Sequence, residues 1–551
     1  VVSYAMLASR SRRIKMKKEY QMLIGLVCIL IATLSLQCSN ENIVSIPPDL
    51  SAPSPVTDLT AVYSTITSVT LTWTAPGDDG DRGTASQYDV RYATVPVTEE
   101  TWVSALQAEG EPSPGAAGGT ETFTVRGLEP DIEYFFVVTV ADEVHNWSGH
   151  SNSEGAKTAL YHQGEGTWQV PYDSGTIQEA INAASPGDTV LVGGGTYNEY
   201  NIHMKSGIVL LSETGEAGCV ILDAGQEGRI MYCKDVDETA VIKGFTFTNG
   251  SLELMMNGAG LYCAGSSPQI VNCAFIDNNA TGHGGGIQCT FQSSPRIENC
   301  IFTNNNVMGH GAGISCMDAS SPRIEGCTFT GNATRCHGGA ISIITGSAPE
   351  VIDCIFSANS AMGEGGAISC TSGASPSVSG CRFDNNRTKG MGGAIGCSSD
   401  ATPAVSYCLF IRNESNHGAA MSFSSSSPVI TSCTFADNTA NLGSVLLSDE
   451  STAVIVNSII AFNSGSAVHC LSGEAPALSC CDLYGNSDGN WTDCIASQDG
   501  LEGNFSANPL FCEEAYPAEP YVLMNGSPCT SANNSSCGLV GALPATCDGS
   551  L

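Results

Sequence analysis

Residues 354–380 read CIFSANSAMGEGGAISCTSGASPSVSG, and the chain repeats the pattern of this stretch many times. A cysteine begins each repeat, a phenylalanine follows two places later, and an asparagine follows five places later. The spacing is 27 residues for every interval except the last, which is 25 residues. Chance does not produce this register, so the sequence predicts a stack of similar structural units. The cysteines that begin the repeats are Cys273, Cys300, Cys327, Cys354, Cys381, Cys408 and Cys433.

Each repeat contains three short apolar alternations of the kind that forms β-strands. The first starts at a glycine pair, as in Gly338-Gly339-Ala340-Ile341, the second follows a proline, as in Pro349-Glu350-Val351, and the third is the Cys-x-Phe stretch. Turn-prone residues such as Asp353 and Gly380 separate the second and third alternations, and these residue types tolerate the positive φ of a tight corner. We therefore expect an all-β solenoid of parallel strands with about 10–12 rungs, stacked roughly 4.8 Å apart.

Two stretches resemble known repeat families. Gly338 to Ile341 and Phe356 to Asn359 resemble the repeats of the polymorphic outer-membrane protein family, and Thr176 to Tyr197 is similar to the start of pectin-lyase-like proteins. The resemblance implies a right-handed parallel β-helix over residues 159–504. It also implies display on a cell surface, with a function in adhesion.

The chain has 25 cysteines, and most of them fall at repeating positions of the solenoid. Stacked neighbours would lie about 4.8 Å apart, which is wider than the Cβ separation of roughly 3.8 Å that a disulfide needs. We expect free, buried thiols that fill the interior. The alternative is a disulfide framework formed during export. Disulfides are expected in the tail, among Cys494, Cys512, Cys529, Cys537 and Cys547.

Residues 56–158 show a different pattern. Val69 to Trp73 and Tyr88 to Tyr92 alternate between apolar and polar residues, with Gly, Pro and Asp turns between the strands, as in a small β-sandwich. The segment resembles a fibronectin type III module. The resemblance implies that Trp73 lies in the core, that the Tyr134 hydroxyl bonds to nearby backbone, and that the module serves as a spacer.

The two ends of the chain predict export and closure of the solenoid. Residues 1–37 are expected to be an upstream extension and a signal peptide, because basic Lys17 and Lys18 precede an apolar run from Leu23 to Leu36. Cys38 follows in a context that resembles a lipoprotein signal, so we expect lipidation there and a tether over residues 38–55. Ile177 to Ala184 should form a helix that covers the first rung, and residues 505–551 should form a Cys-rich cap at the other end.

The net charge of −34 argues against nucleic-acid binding, since such a surface repels phosphate backbones. The resemblance, together with the predicted lipid anchor, implies a non-catalytic scaffold at the outer membrane or outside the cell that contacts a surface protein, matrix protein or glycan. We find no recognisable set of catalytic residues and no cofactor motif. Arg296 and Arg323 should instead form an ion-pair ladder with Glu298 and Glu325 on the surface. The alternative is a polysaccharide lyase or carbohydrate esterase, because these enzymes share the β-helix fold.

One set of polar residues recurs with the repeat. His283, His310 and His337 are each 27 residues apart and precede the glycines, and Glu364, Met391 and His417 continue the series. Imidazoles aligned in this way could bind a transition metal. The other interpretation is a corner of the solenoid that tolerates polar side chains.

Overall fold

The computed structural model describes residues 51–64, 67–158, 166–512 and 521–547. The predicted signal peptide and the predicted lipidation site, Cys38, lie outside these ranges. Within them, no helix combines the length and the apolar character needed to cross a membrane.

The first described unit is the predicted β-sandwich. Trp73 is buried in its core, and the Tyr134 hydroxyl accepts a hydrogen bond from the Glu129 backbone N–H at 3.0 Å, as expected. Its two antiparallel sheets consist of Thr60–Ser64, Ser68–Thr74 and Thr120–Arg126, and of Leu106–Gln107, Gln87–Ala93, Glu133–Ala141 and Glu154–Lys157, with a short 3-10 helix at Trp102–Ser104.

A parallel β-solenoid follows, and it confirms the fold predicted from the repeat. Three sheets run along it, which we call sheets I, II and III in the order in which each rung meets them. Sheet I contains Thr167–Val170, Thr189–Val192, Val209–Ser212, Val241–Lys243, Gln269–Val271, Arg296–Glu298, Arg323–Glu325, Glu350–Ile352, Ser377–Ser379, Ala404–Ser406, Val429–Thr431, Val454–Val456 and Ala477–Ser479. Sheet II contains Gly195–Tyr197, Val220–Asp223, Phe245–Thr248, Ala274–Ile276, Ile301–Thr303, Thr328–Thr330, Ile355–Ser357, Arg382–Asp384, Leu409–Ile411, Thr434–Ala436, Ile459–Ala461 and Asp482–Tyr484.

Sheet III differs from the expectation of three strands per rung, because most rungs contribute two strands to it. A two-residue strand follows the asparagine corner and precedes the strand at the glycine motif; two residues are too few for an alternation to be visible in the sequence. Sheet III contains Ile202–His203, Met231–Lys234, Ser251–Leu252, Leu261–Ala264, Asn279–Ala280, Ile287–Thr290, Asn306–Val307, Ile314–Cys316, Ala333–Thr334, Ile341–Ile343, Ser360–Ala361, Ile368–Cys370, Arg387–Thr388, Ile395–Ser398, Glu414–Ser415, Met421–Ser424, Thr439–Asp449 and Ser464–Ser472.

Equivalent side chains stack in columns inside the solenoid. The phenylalanine rings lie parallel, with 4.6 Å between the ring centroids of Phe302 and Phe329 and 4.8 Å between those of Phe329 and Phe356. The corner asparagines form a continuous buried hydrogen-bonded ladder, in which Asn332 Nδ2 donates to Asn359 Oδ1 at 3.0 Å. Parallel pairing in register therefore turns a sequence repeat into columns of identical contacts.

The cysteines at the repeating positions are free and buried, as predicted. Their Sγ atoms lie near backbone carbonyls of their own rung and of the preceding rung, as for Cys381 with the Ser379 oxygen at 3.3 Å and the Val351 oxygen at 3.6 Å. Among the described residues, disulfides join Cys470 to Cys494 and Cys480 to Cys537. Cys512 is also disulfide-bonded, whereas Cys529 is a free thiol beside Asp482, at 3.2 Å.

The N-terminal end is closed as predicted. A helix spans Ile177–Ala183, begins at Thr176, whose side chain accepts from the Glu179 N–H, and buries Ile177, Ala180 and Ile181 against the solenoid core.

The C-terminal segment is arranged differently from the expected cap over residues 505–551. Ile495, in the 3-10 helix Asp493–Gln498, is buried in the main core, with Trp491 packed beside it. The described residues after 505 instead pack on the outer face of sheet II, where Phe511, Leu523 and Val540 cluster with the outward-facing apolar residues of the last rungs. Because those outward-facing side chains are apolar, burial beneath the C-terminal segment removes them from water and stabilises the fold. Leu523–Met524 and Ala545–Cys547 pair in this segment.

A cationic cleft on sheet III as the candidate functional site

The two-residue strands of sheet III form the floor of a cleft. Asn306, Ala333, Ser360 and Arg387 pair in register on successive rungs and face outward, because the residue after each of them is buried. Small side chains at Ala333 and Ser360 leave the middle of the floor low, which produces an open cleft of about 630 Å³.

Residues two places further along each rung form one wall of the cleft. The backbone N–H of Arg335 donates to the Val307 carbonyl, that of Met362 to the Thr334 carbonyl, and that of Lys389 to the Ala361 carbonyl, at 3.2–3.3 Å. These bonds continue the parallel ladder past the end of the strand, so the wall residues stack in a column as regularly as the floor residues do. All three side chains are exposed.

Buried threonines hold the turn behind this wall. Thr388 Oγ1 donates to the Gly363 carbonyl of the preceding rung and accepts from the Gly390 N–H at 3.0 Å. Thr334 makes the equivalent bonds to the Gly309 carbonyl and the Cys336 N–H. The threonines thus fix the backbone of the two rungs that carry Arg335 and Lys389.

The charges in the cleft are distinctive. From residue 296 to the end of the chain there are seven Lys and Arg residues, and four of them, Arg296, Arg323, Arg382 and Arg412, form ion pairs on other faces. The other three, Arg335, Arg387 and Lys389, make no ion pair within the described part of the chain, and all three line the cleft. The unpaired cations of these later rungs therefore converge at one place on a protein of net charge −34.

The predicted histidine column exists, and it lies two residues beyond the cleft wall. The His283 and His310 ring centroids are 5.0 Å apart, and those of His310 and His337 are 5.2 Å apart, with nearly parallel rings. His283 Nδ1 accepts from the His310 backbone N–H and His337 Nδ1 accepts from the Glu364 N–H, both at 2.9 Å. The Nδ1 lone pairs of His283 and His337 are therefore used to join one rung to the next.

The stacked arrangement gives the metal hypothesis no support. Within the described ranges, no group of three or more His, Cys, Asp and Glu side chains is placed to hold a metal ion. Binding of a metal by His283, His310 and His337 stays a prediction.

The histidine column predicts acid sensitivity. Burial, together with the two neighbouring imidazoles, lowers the pKa of His310 to about 4, and burial lowers the pKa of His283. The folded-state pKa of His310 lies below its usual 6.5, so protonation of this side chain favours the unfolded chain. The contribution of neutral His310 to the free energy of unfolding is therefore complete above pH 6.5 and is lost as the pH falls toward 4. We expect the wild type to lose about 2 kcal/mol of unfolding free energy relative to His310→Gln over this interval, allowing for partial solvation. Urea unfolding at a series of pH values tests this, and parallel stability curves for the two proteins would contradict it.

Other predicted polar groups have structural roles. Arg296 pairs with Glu298, and Arg323 pairs with Glu325 at 3.0 Å and also with Glu350, which confirms the surface ion-pair ladder. Arg229 lies over the rings of Tyr232 and Tyr262, at 4.0 and 4.7 Å from the ring centroids, and donates to the Gly258 carbonyl. Its contacts join neighbouring rungs.

Sequence reasoning missed the cleft residues, although a signal was present. Arg335 and Lys389 are two repeats apart, and so are Met308 and Met362. An alignment of the repeats would have placed all four in one column. Their lack of carboxylate partners is visible only in three dimensions.

The architecture of this chain, a solenoid of three parallel sheets with an open cleft on one face, is that of the β-helix proteins. The chain belongs to the right-handed β-helix family: the family model "Right handed beta helix region" matches residues 198–391 and 333–487, which together span more than half of the chain. The fibronectin type III model matches residues 53–154. The right-handed β-helix and the fibronectin type III module expected from the sequence are thereby confirmed.

More distant similarities cover limited parts of known proteins. Calcium-activated chloride channel regulator 1 of Equus caballus is 30% identical over 159 residues, which is 27% of this chain and 17% of that protein. Chitinase A1 of Niallia circulans is 34% identical over 125 residues, or 22% of this chain and 15% of that protein. The chain thus spans about a sixth of the length of these curated relatives. Among solved structures, the Yersinia enterocolitica family 28 exopolygalacturonase aligns with 80% of this chain and 100% of its own at 11% identity and a TM-score of 0.31.

Proposed function

We propose that this protein is an exported, surface-tethered scaffold whose cleft binds an extended anionic polymer without modifying it. The observation that carries the proposal is the position of Arg335, Arg387 and Lys389, the three unpaired cations of the later rungs, in one open cleft. The net negative charge of the protein opposes the approach of an anionic chain, so binding depends on the local cations of this cleft. The cleft crosses several rungs and is open to solvent, which suits a polymer better than an enclosed small molecule.

The disulfides support the part of the proposal that concerns export. Cys470–Cys494 and Cys480–Cys537 form stable links only in an oxidising compartment. The repeat thiols are buried in the core and remain free in the same chain. This combination fits a protein that folds and acts outside the cytoplasm, and the sandwich at residues 53–154 then serves as a spacer from the surface.

Charge removal in the cleft tests binding. We expect the triple variant Arg335→Gln, Arg387→Gln, Lys389→Gln to bind polygalacturonate and dextran sulfate about tenfold more weakly at low salt, since each exposed cation contributes a fraction of a kcal/mol. Affinity of the wild type should also fall as salt rises. Surface plasmon resonance on immobilised polymer, with neutral dextran as the reference, measures both effects.

The matched control carries the same change of charge on other faces: Arg296→Gln, Arg323→Gln and Arg412→Gln. It should retain affinity within about twofold, because these arginines are paired with carboxylates away from the cleft. Equal losses in the two triple variants would show a general charge effect and would overturn the cleft as the binding site.

Polysaccharide cleavage is the second candidate, and one observation favours it. Glu414 lines the cleft beside Arg387, on the adjacent rung, so a carboxylate and several cations face the same bound chain. A lyase needs a group that removes a proton and cations that stabilise the charge that develops. Unsaturated products from polygalacturonate, or acid release from esterified pectin, would support this candidate and contradict a non-catalytic scaffold.

A further inference from the structure

The wall of the cleft alternates between apolar and cationic side chains. Arg335, Met362 and Lys389 line the cleft on consecutive rungs, and Met308 continues their column on the rung before, at the end of the cleft. Both methionines are about half exposed, at 50% and 54%, although methionine favours the interior. Exposed methionines alternating with unpaired cations form a patterned surface rather than a uniformly basic one.

The floor of the cleft reinforces this alternation. Each rung contributes one floor residue and one wall residue: Asn306 with Met308, Ala333 with Arg335, Ser360 with Met362, and Arg387 with Lys389. The formal side-chain charge is therefore zero on the first and third of these rungs and positive on the second and fourth. The next rung carries Glu414 and Asn416, so it is unfavourable for an anion. Positive rungs are thus flanked on both sides by rungs that carry no cation.

The distance between positive rungs restricts the ligand. Rungs are about 4.8 Å apart, so the cations of Arg335 and Lys389 recur at roughly 10 Å along the solenoid axis. An extended peptide presents side chains on one face at intervals of about 6.6–7 Å, which matches neither one rung nor two. A sugar ring in an extended polysaccharide advances by about one rung, and a disaccharide advances by about two.

We propose, on the basis of the binding function above, that the ligand is an acidic polysaccharide with a disaccharide repeat in which an anionic sugar alternates with an uncharged one. The anionic sugars lie on the Arg335 and Arg387–Lys389 rungs, where each meets at least one unpaired cation. The uncharged sugars lie over Met308 and Met362, whose flexible apolar side chains pack against their C–H faces. A polymer with a carboxylate on every sugar would place half of its charges over methionine.

The test changes the pattern without removing a cation. Met362→Lys adds a charge on the uncharged rung, and Met362→Gln is the matched control of similar length without a charge. The probes are hyaluronan fragments, with one carboxylate per disaccharide, and polygalacturonate fragments, with one per sugar, matched in their number of carboxylates. Competition measurements give the ratio of the two affinities for each protein.

We expect the wild type to favour hyaluronan by about threefold. Met362→Lys should shift the ratio of the two affinities about threefold or more toward polygalacturonate. Met362→Gln should still favour hyaluronan. Equal binding of both probes by the wild type, or an unchanged ratio in Met362→Lys, overturns the alternating ligand while leaving the anionic cleft intact. Failure of both probes to bind above neutral dextran overturns the proposed function itself.

Discussion

Replacing Asn359 with alanine is expected to lower the free energy of unfolding by about 4 kcal/mol, because it removes a fully buried member of the asparagine ladder. The Asn359 side chain donates to the Phe329 carbonyl and to Asn386 Oδ1, both at 2.9 Å. It also accepts from the backbone N–H and the Nδ2 of Asn332, both at 3.0 Å. Alanine removes these four hydrogen bonds and takes away the acceptor of the buried Asn332 backbone N–H. Asn386 Oδ1 keeps the bond from the Asn359 N–H, and Asn332 Nδ2 keeps the bond to the Phe302 carbonyl. A buried group that loses its partner costs more than a typical hydrogen bond contributes.

Urea unfolding followed by circular dichroism measures this change. The control is Asn279→Ala, which alters an exposed asparagine of the solenoid whose side chain bonds locally to the Asp277 carbonyl. We expect the control to change stability by about 0.5 kcal/mol or less. Similar midpoints for the two variants would mean that the ladder does not hold successive rungs together.

Replacing Phe356 with alanine is expected to destabilise the solenoid by about 4 kcal/mol, because it opens a cavity in the middle of the phenylalanine column. The ring is fully buried and lies 4.8 Å from both Phe329 and Phe383, centroid to centroid. The neighbouring rungs are fixed by parallel pairing on both sides, so they cannot close the gap. Phe356→Leu should cost about half as much, since it restores part of the lost volume.

The control for this series is Phe291→Ala. Phe291 is 64% exposed on a turn, so little apolar burial is lost there, and the change should be about 0.5 kcal/mol or less. Thermal unfolding with the same protein preparations ranks the three variants. A Phe356→Ala protein as stable as Phe291→Ala would contradict tight packing of the column.

The sequence was sufficient to predict the interior because the interior is locally encoded. Each rung repeats its own alternation and its own corner residue, so Phe356 and Asn359 could be assigned to buried columns before any pairing was known. An amphipathic pattern likewise identified the helix Ile177–Ala183. Alternation within a few residues indicated a β-sandwich, and the resemblance to the fibronectin type III family placed Trp73 in its core.

The surface required the tertiary structure, because its properties depend on side chains that are far apart in the chain. Whether Arg335 is a free cation depends on the carboxylates around it, and Arg296 and Arg323, which have the same side chain, are paired. The sequence also left the position of the C-terminal segment on sheet II undetermined, since Leu523 and Val540 cluster with outward-facing residues as far back as Leu409, more than a hundred residues earlier in the sequence. Local periodicity thus decided what each rung buries, while only the stacking of rungs decided which exposed side chains share a surface and remain available to a ligand.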